Sequence, residues 1–338
     1  MVATYKDIRR LTGLSLATIS KHFNGGNVTY QNKVLIEQAA RDLGYQVNDV
    51  ARGLRSRRSM TLGVVLAELN STFYTTVVSR MEERLREAGY GTIICDSRGS
   101  AEVEAEAIHF LIGKMVDGLV IIPVGDEVAG LSVAAERGVP VVAVDRAVGN
   151  AEVDTVVIDN RAAIGSAVDL LADAGHTEIA LLAGSDDTYT MRERRLGFRD
   201  AVKRRTGRVP RRALVHPDHV SIEGGFDGMR RLLALDRPPT AVVCGNYEFT
   251  LGATVALNEL PDGSGPSIVG FDNLDLARII RPRPTLVAQP VAEIATRAAE
   301  LILERIAGPS GLAARTVVLD STLLVGDAST YALAGGRR

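Results

Sequence analysis

Thr4-Tyr5-Lys6-Asp7-Ile8-Arg9-Arg10-Leu11-Thr12-Gly13-Leu14-Ser15-Leu16-Ala17-Thr18-Ile19-Ser20-Lys21-His22-Phe23-Asn24 is the stretch that decides how this chain begins to fold. Thr4 is a good helix N-cap, and Asp7, three residues on, makes a weaker form of the capping box. Ile8 and Leu11 then face one way at helical spacing, and Gly13 ends this short helix. Ser15 caps a second helix from Leu16 to about Phe23, with Ile19 and Phe23 inward, and Gly25-Gly26 break it. Thr29 caps a third helix that runs to Leu43 and is closed by Gly44. Two short helices joined by a tight turn and braced by a third read as a helix-turn-helix unit. The segment is too small to bury much core alone.

Charge sets this segment apart. Residues 1–58 hold ten Lys/Arg and four acids, a net of +6, while the remaining residues hold 29 Lys/Arg and 37 acids, a net of −8. A small basic head on a large acidic body fits a polyanion-binding unit; a solvated basic surface is the plainer alternative. In a DNA-binding unit the second helix is the recognition helix. Leu16 and Ala17 can touch thymine methyl groups, Lys21 can donate to guanine acceptors, and Ser20 faces outward with them. Ser15, Thr18 and the free N–H groups at the helix start suit phosphates. A three-helix unit that binds no DNA shares the same spacing.

From Thr61 onward, near-continuous apolar runs alternate with helical stretches. Leu62–Leu66, Thr92–Cys95, Leu119–Ile122, Val141–Val144 and Val156–Ile158 read as one series of strands. Ile179–Ala183, Ala241–Cys244, Ile268–Phe271, Leu286–Ala288 and Val317–Leu319 read as a second. Helices are expected over Val77–Ala88, Glu102–Met115, Ala163–Ala174, Arg192–Arg205, Glu223–Ala234 and Phe249–Leu260. Uninterrupted strands between amphipathic helices mean parallel sheets covered on both faces. The expected fold is α/β and periplasmic-binding-protein-like: two doubly wound parallel-sheet lobes with a ligand cleft between them, preceded by the small all-α head. The expected divisions are a head at 1–46, a connecting segment at 47–59 and a larger two-lobed domain at 60–338. Lobe one would take about 60–158 plus 290–319, and lobe two about 159–287 plus 320–338.

Several function classes are excluded. The chain of 338 residues has no apolar run of the roughly 18 to 20 residues that a membrane span needs. Met1 to Gly13 has no apolar core ahead of a small-residue cleavage site, so a secretory signal is not expected. Two cysteines, Cys95 and Cys244, rule out a disulfide scaffold and fit a reducing cytosol. There is no Gly-x-Gly-x-x-Gly after a strand, no phosphate-binding Gly-Lys-Ser/Thr loop and no Gly-x-Ser-x-Gly elbow. His216 and His219 flank Pro217 with no third metal ligand in view, and His176 reads as a turn residue. No enzyme activity and no cofactor or metal is expected.

The head and body together resemble the lactose-repressor (LacI/GalR) family. In the head the resemblance rests on residues 4–8, 12–21 and 23–24, on Val28-Thr29 and Leu43-Gly44-Tyr45, and on Asn48 and Ala51-Arg52-Gly53-Leu54. In the body it rests on Val139-Pro140-Val141-Val142 to Asp145-Arg146, Val157-Ile158-Asp159-Asn160, Gly175-His176 and Arg194-Arg195-Leu196-Gly197-Phe198. It continues in Asn246, Leu251-Gly252, Val269-Gly270-Phe271-Asp272 and Gln289-Pro290.

The resemblance implies a cytoplasmic, homodimeric, ligand-responsive transcription factor, a repressor of its operator. It implies a DNA-binding set of Thr4, Ser15, Leu16, Ala17, Thr18, Ser20, Lys21, Asn24, Lys33, Asn48 and Leu54. Leu54 would wedge into the minor groove from a hinge helix that folds only on the operator, and Arg52, Arg55, Arg57 and Arg58 would add phosphate contacts. It also implies effector contacts from Asn70, Thr72, Phe73, Asp145, Thr190, Arg194, Val220, Asn246, Asp272 and Gln289, with Arg98 as a lesser candidate. Their chemistry suits a sugar or sugar-like polyhydroxylated effector. For single residues a plainer account stands beside this one: Asp145 and Asp272 as helix caps, Arg194 as a surface residue opening a helix. A solute-binding protein of a sugar transporter would share the body but not the basic head.

Three departures from the family pattern are visible. Lys21 stands where Arg is usual, and Val47 where Pro is usual. After Asn246 the family usually has Asp and then an apolar stretch, whereas this chain has Tyr247-Glu248. Glu248 is expected to supply negative charge to the start of the next helix as a cap, and Tyr247 to make the pocket edge more aromatic.

Overall fold

Each helix of the N-terminal segment starts where a side chain takes up free backbone N–H groups or restrains the first turn. The computed structural model describes residues 3–23, 26–45, 58–149, 151–211, 215–217, 220–261, 265–272, 279, 281–309 and 311–327. The Thr4 N–H and hydroxyl both donate to the Asp7 carboxylate, at 3.0 and 2.8 Å, at the head of α1 (Tyr5–Thr12). Gly13 ends that helix at φ +69°, a left-handed conformation that strains any side chain. Ser15 Oγ accepts from the Thr18 N–H at 3.0 Å at the start of α2 (Leu16–Phe23). Thr29 does the same for Asn32 in α3 (Tyr30–Asp42), at 3.4 Å. Ile8, Ile19, Ile36 and Ala39 form the shared core. The Tyr5 ring stacks on Phe23 with centroids 5.5 Å apart, and Tyr45 packs against both. The expected three-helix head is what the chain builds. It belongs to a compact unit of residues 1–59, and residues 60–338 form the other unit.

The second unit contains two six-stranded sheets. The strands are β1 (Thr61–Leu66), β2 (Gly91–Asp96), β3 (Gly118–Ile121), β4 (Val141–Val144), β5 (Asp154–Ile158), β6 (Ile179–Ala183), β7 (Val215–Pro217), β8 (Ala241–Cys244), β9 (Ser267–Phe271), β10 (Thr285–Ala288), β11 (Thr316–Leu319) and β12 (Thr322–Leu324). The first sheet has the order β11-β5-β4-β3-β1-β2 and is parallel throughout. The second has the order β12-β10-β9-β8-β6-β7 and is parallel except for the β10–β12 pair. The central strands are buried along almost their whole length, as continuous Val/Ile/Leu runs require when helices cover both faces.

Eight helices of this unit are described: α4 (Thr72–Glu87), α5 (Ala101–Gly113), α6 (Leu131–Glu136), α7 (Asn160–Asp173), α8 (Tyr189–Thr206), α9 (Ile222–Leu233), α10 (Tyr247–Leu257) and α11 (Val291–Ala307). After β10 the chain returns in α11, which packs against α4 and the strands of the first sheet.

Some elements differ from the sequence reading. α4 begins five residues earlier than Val77, because Ser71 caps it and the Thr75 and Thr76 hydroxyls donate back to the Ser71 and Thr72 carbonyls. Those β-branched and aromatic residues are poor helix formers by themselves. α8 likewise begins at Tyr189 rather than Arg192. The short β7 and β12 are added. No described helix is long and apolar enough to cross a membrane.

Candidate functional site

Ligands in doubly wound sheets bind beyond the carboxyl ends of the strands, and the two sheets place equivalent residues there. Asp145 follows β4 and donates its N–H to the Val156 carbonyl on β5 at 2.9 Å. Asp272 follows β9 and donates its N–H to the Val287 carbonyl on β10 at 2.7 Å. Both are left-handed, with φ +70° and +57°, a conformation that Asp tolerates better than most residues but that still stores strain. Neither aspartate is the N-cap of a described helix.

Arg194, on α8, is only 3% exposed. Its Nε donates to Asn160 Oδ1 at 2.7 Å and its Nη1 to the Gly245 carbonyl at 2.6 Å. Its guanidinium carbon lies 3.9 Å above the centre of the Phe271 ring. The plainer account of this arginine as a surface residue is therefore overturned. Burial pulls its pKa below the ordinary guanidinium range, while Asp145 and Asp272 oppose that pull. The Asp272 carboxylate accepts from the Gln289 N–H at 3.1 Å and from Gln289 Nε2 at 2.6 Å. Burial pushes the Asp272 pKa up to about 6, against the opposing Gln289 hydrogen bonds and the Arg194 charge. Burial also raises that of Asp145, with Arg146 and Arg194 pulling the other way.

Several residues of this site were not among the expected effector contacts, because only the fold brings them to it. Arg146 Nη1 donates to the Pro123 and Val124 carbonyls, each at 2.7 Å, and Nη2 to the Tyr74 hydroxyl at 3.0 Å. Its Nε stands 3.7 Å from Asp145 Oδ2. Behind it the buried Glu104 accepts from the Val124 N–H at 2.8 Å. Two residues further along that loop, Asp126 pairs with Arg192 of α8 at 2.7 Å, an ion pair between the two lobes.

The other expected effector residues are less uniform. Asn246 Oδ1 accepts from the Phe249 N–H at 2.9 Å and so caps α10. Its oxygen is therefore committed to the helix, and the capping role expected of Glu248 falls to Asn246 instead. Glu248 occupies the first turn and is partly buried. Thr190 is buried in the first turn of α8. Phe73 is half-buried against the core, its ring 5.5 Å from that of Tyr74. Thr72, Asn70 and Arg98 are exposed, and Val220 is 49% exposed on a bend just before Ser221, which caps α9. His176 is buried with its Nδ1 2.9 Å from Thr240 Oγ1, a cross-link between two loops.

On the head, Ala17 and Lys21 are exposed on α2, and Leu16, Thr18 and Ser20 are half-buried. The Ser15 and Thr18 hydroxyls lie 2.9 Å apart and bond to each other. The Thr4 hydroxyl is engaged by Asp7. Lys33 is exposed, 3.9 Å from Glu37. Asn24, Asn48, Leu54 and most of the hinge segment lie outside the described residues.

A family model described as "Periplasmic binding proteins and sugar binding domain of LacI family" matches residues 59–310. The HTH-type transcriptional repressor PurR of Vibrio cholerae serotype O1 (strain M66-2) is 30% identical over 320 residues, spanning 90% of this chain and 92% of that protein. Among solved structures, the transcriptional regulator CelR in complex with cellobiose is 27% identical with a TM-score of 0.72, covering 96% of this chain and 99% of that one. The lac repressor dimer bound to operator and the anti-inducer ONPF is 24% identical, with a TM-score of 0.85 over 99% of this chain and 100% of that one.

Proposed function

Since this chain belongs to the LacI family of transcriptional regulators, we propose that its cleft is the sensor through which a small polyhydroxylated effector controls DNA binding by the head. The observation that carries the reading is the Arg194–Asp272–Gln289 cluster facing Asp145. Residues of both sheets contribute to one polar site that forks, accepts and donates. Carboxylates and a planar guanidinium over an aromatic ring are the groups that recognise vicinal hydroxyls. The CelR–cellobiose complex supports the ligand class.

In this reading residues 1–46 bind operator DNA and residues 47–59 form the hinge. Residues 60–338 bind the effector and pair with a second copy in the cytoplasm. Effector binding changes the relation of the lobes and shifts the population that is competent for the operator. The relatives are repressors, which favours repression over the transporter alternative. A thermal-shift screen of sugars, sugar phosphates and nucleosides tests the assignment. A binder should raise the unfolding midpoint by several degrees at about 100-fold excess over its Kd. That rise should vanish in Asp145→Asn. A binder whose effect survives that substitution places the sensor elsewhere.

A further inference from the structure

The loop that follows β3 is fixed from inside lobe one and reaches across to lobe two. The buried Glu104 of α5 accepts from the Val124 N–H at 2.8 Å, and Arg146 Nη1 donates to the Pro123 and Val124 carbonyls at 2.7 Å each. The Asp126 carbonyl accepts from the Gly149 N–H at 2.7 Å, which ties this loop to the one after β4. Asp126 Oδ2 then lies 2.7 Å from Arg192 Nη1 on α8. Arg192 is steadied by the Asp186 carbonyl, to which Nη1 also donates, at 3.2 Å. The bridge is thus the exposed end of a chain of contacts, and Asp145, the cleft carboxylate next to Arg146 in sequence, is its buried end.

Arg146 joins the carboxyl ends of three strands. Its Nη1 holds the loop after β3. Its Nη2 donates at 3.0 Å to Tyr74 on α4, the helix after β1, and its Nε stands 3.7 Å from Asp145 Oδ2 after β4. That Nε is buried and has no hydrogen-bond partner among the described residues, and the same holds for Asp126 Oδ1. The Nε–Oδ2 contact is an ion pair about half an ångström too long for a hydrogen bond. A buried donor is costly to leave unmet. The guanidinium therefore gains by shifting toward an acceptor offered at Asp145, whether the carboxylate itself or a hydroxyl bound to it. The Pro123 and Val124 carbonyls are held by the same rigid fork, so such a shift moves the loop and, two residues on, Asp126.

We propose that Arg146 is a positioning residue that makes the interlobe bridge Asp126–Arg192 depend on the state of Asp145, an inference that rests on the reading of Asp145 as part of the effector site. An effector that engages Asp145 then changes the closure of the lobes through one guanidinium, without touching the bridge. The bridge is about a third exposed on both sides, and so weak enough to be made or broken by a small shift.

The test is hydrogen exchange of the full chain without ligand, read at the Val124 and Gly149 amides at low and high salt. Arg192→Ala should speed exchange there by up to about fivefold, and by less at high salt, as for an exposed ion pair. Asp145→Asn, which removes the charge facing Nε, should speed it as well. Arg146→Lys keeps the charge but loses the fork, and should speed exchange about tenfold or more, the scale of one charge-assisted hydrogen bond lost. In the Arg146→Lys background, Arg192→Ala, Asp145→Asn and salt should add nothing further. An arginine that merely fills its space would leave those effects in place, so factors that multiply independently overturn the proposal. An unchanged loop in Arg146→Lys, or in Asp145→Asn, overturns it too. If Arg146→Lys speeds exchange throughout the lobe and so fails to fold, Tyr74→Phe decides. It removes one anchor of the same guanidinium and no charge, and should shrink the response to Asp145→Asn; a response of full size overturns the proposal. No ligand enters these measurements, so they judge the link alone, and the cleft assignment stands or falls separately on the thermal-shift response of Asp145→Asn.

Discussion

Asp272 shows how the fold sets the chemistry of a single residue. Its carboxyl, ordinarily near 3.8, is pushed to about 6 by burial, despite the hydrogen bonds from Gln289 and the charge of Arg194. The folded chain therefore holds a proton that the unfolded chain has released across that window. Stability falls as pH rises through it, and the loss is complete above the folded value. Asp272→Asn removes the titration while preserving shape. Its amide can accept from the Gln289 N–H and, with the Gln289 amide turned over, donate to the orphaned Oε1. Urea midpoints of the variant and the parent protein should diverge in the variant's favour as pH rises from about 4 to about 6, and then run parallel. Parallel curves throughout would show that this carboxyl carries no burial penalty. At this scale the sequence was only partly informative. Asp145, Arg194, Asp272 and Gln289 could be named from the family register. Tyr74 and Glu104 could not, and Asn160 lay in the register without a role, because their roles come from tertiary neighbours. Asn246 sat in the right place, but its cap on α10 reflects a local competition between ligand and helix N–H groups.

The helices of the head divide the expected DNA contacts into two kinds. Lys21 lies exposed on α2, the element that would enter the major groove, and Lys33 lies on α3. Lys21→Ala is expected to relax discrimination at one base pair by roughly 1–3 kcal/mol. Lys33→Ala should instead weaken binding to all sequences and flatten the salt dependence by about one unit of slope. Titrations against operator and random DNA at several salt concentrations separate the two. A uniform loss in both variants would mean that Lys21 reads no base. Element by element, legibility followed signal strength. Long apolar runs such as Leu62–Leu66 and Ile179–Ala183 declared themselves because burial on both faces leaves no polar positions. β12 was missed because it has three residues and a half-exposed edge.

For the molecule as a whole, the account requires the two lobes to act together. The Asp126–Arg192 pair joins them at 2.7 Å with both side chains about a third exposed. Such a pair contributes at most about 1 kcal/mol, so Arg192→Ala should weaken effector binding by no more than roughly fivefold. The effect should shrink in high salt. Isothermal calorimetry at two salt concentrations would show this, and a salt-independent loss would mean that Arg192 contacts the effector itself. The most direct test of the central claim is a gel shift at physiological salt using DNA upstream of the protein's own gene. It would be titrated with a compound found to bind the cleft, for the parent protein and for Asp145→Asn. The account predicts that both proteins bind this DNA equally in the absence of the compound. It also predicts that the compound changes the parent's affinity by about fivefold or more, the usual range of allosteric coupling, and leaves the variant's unchanged. Equal responses in the two proteins, or a parent protein that binds the DNA no better than random sequence, would contradict it.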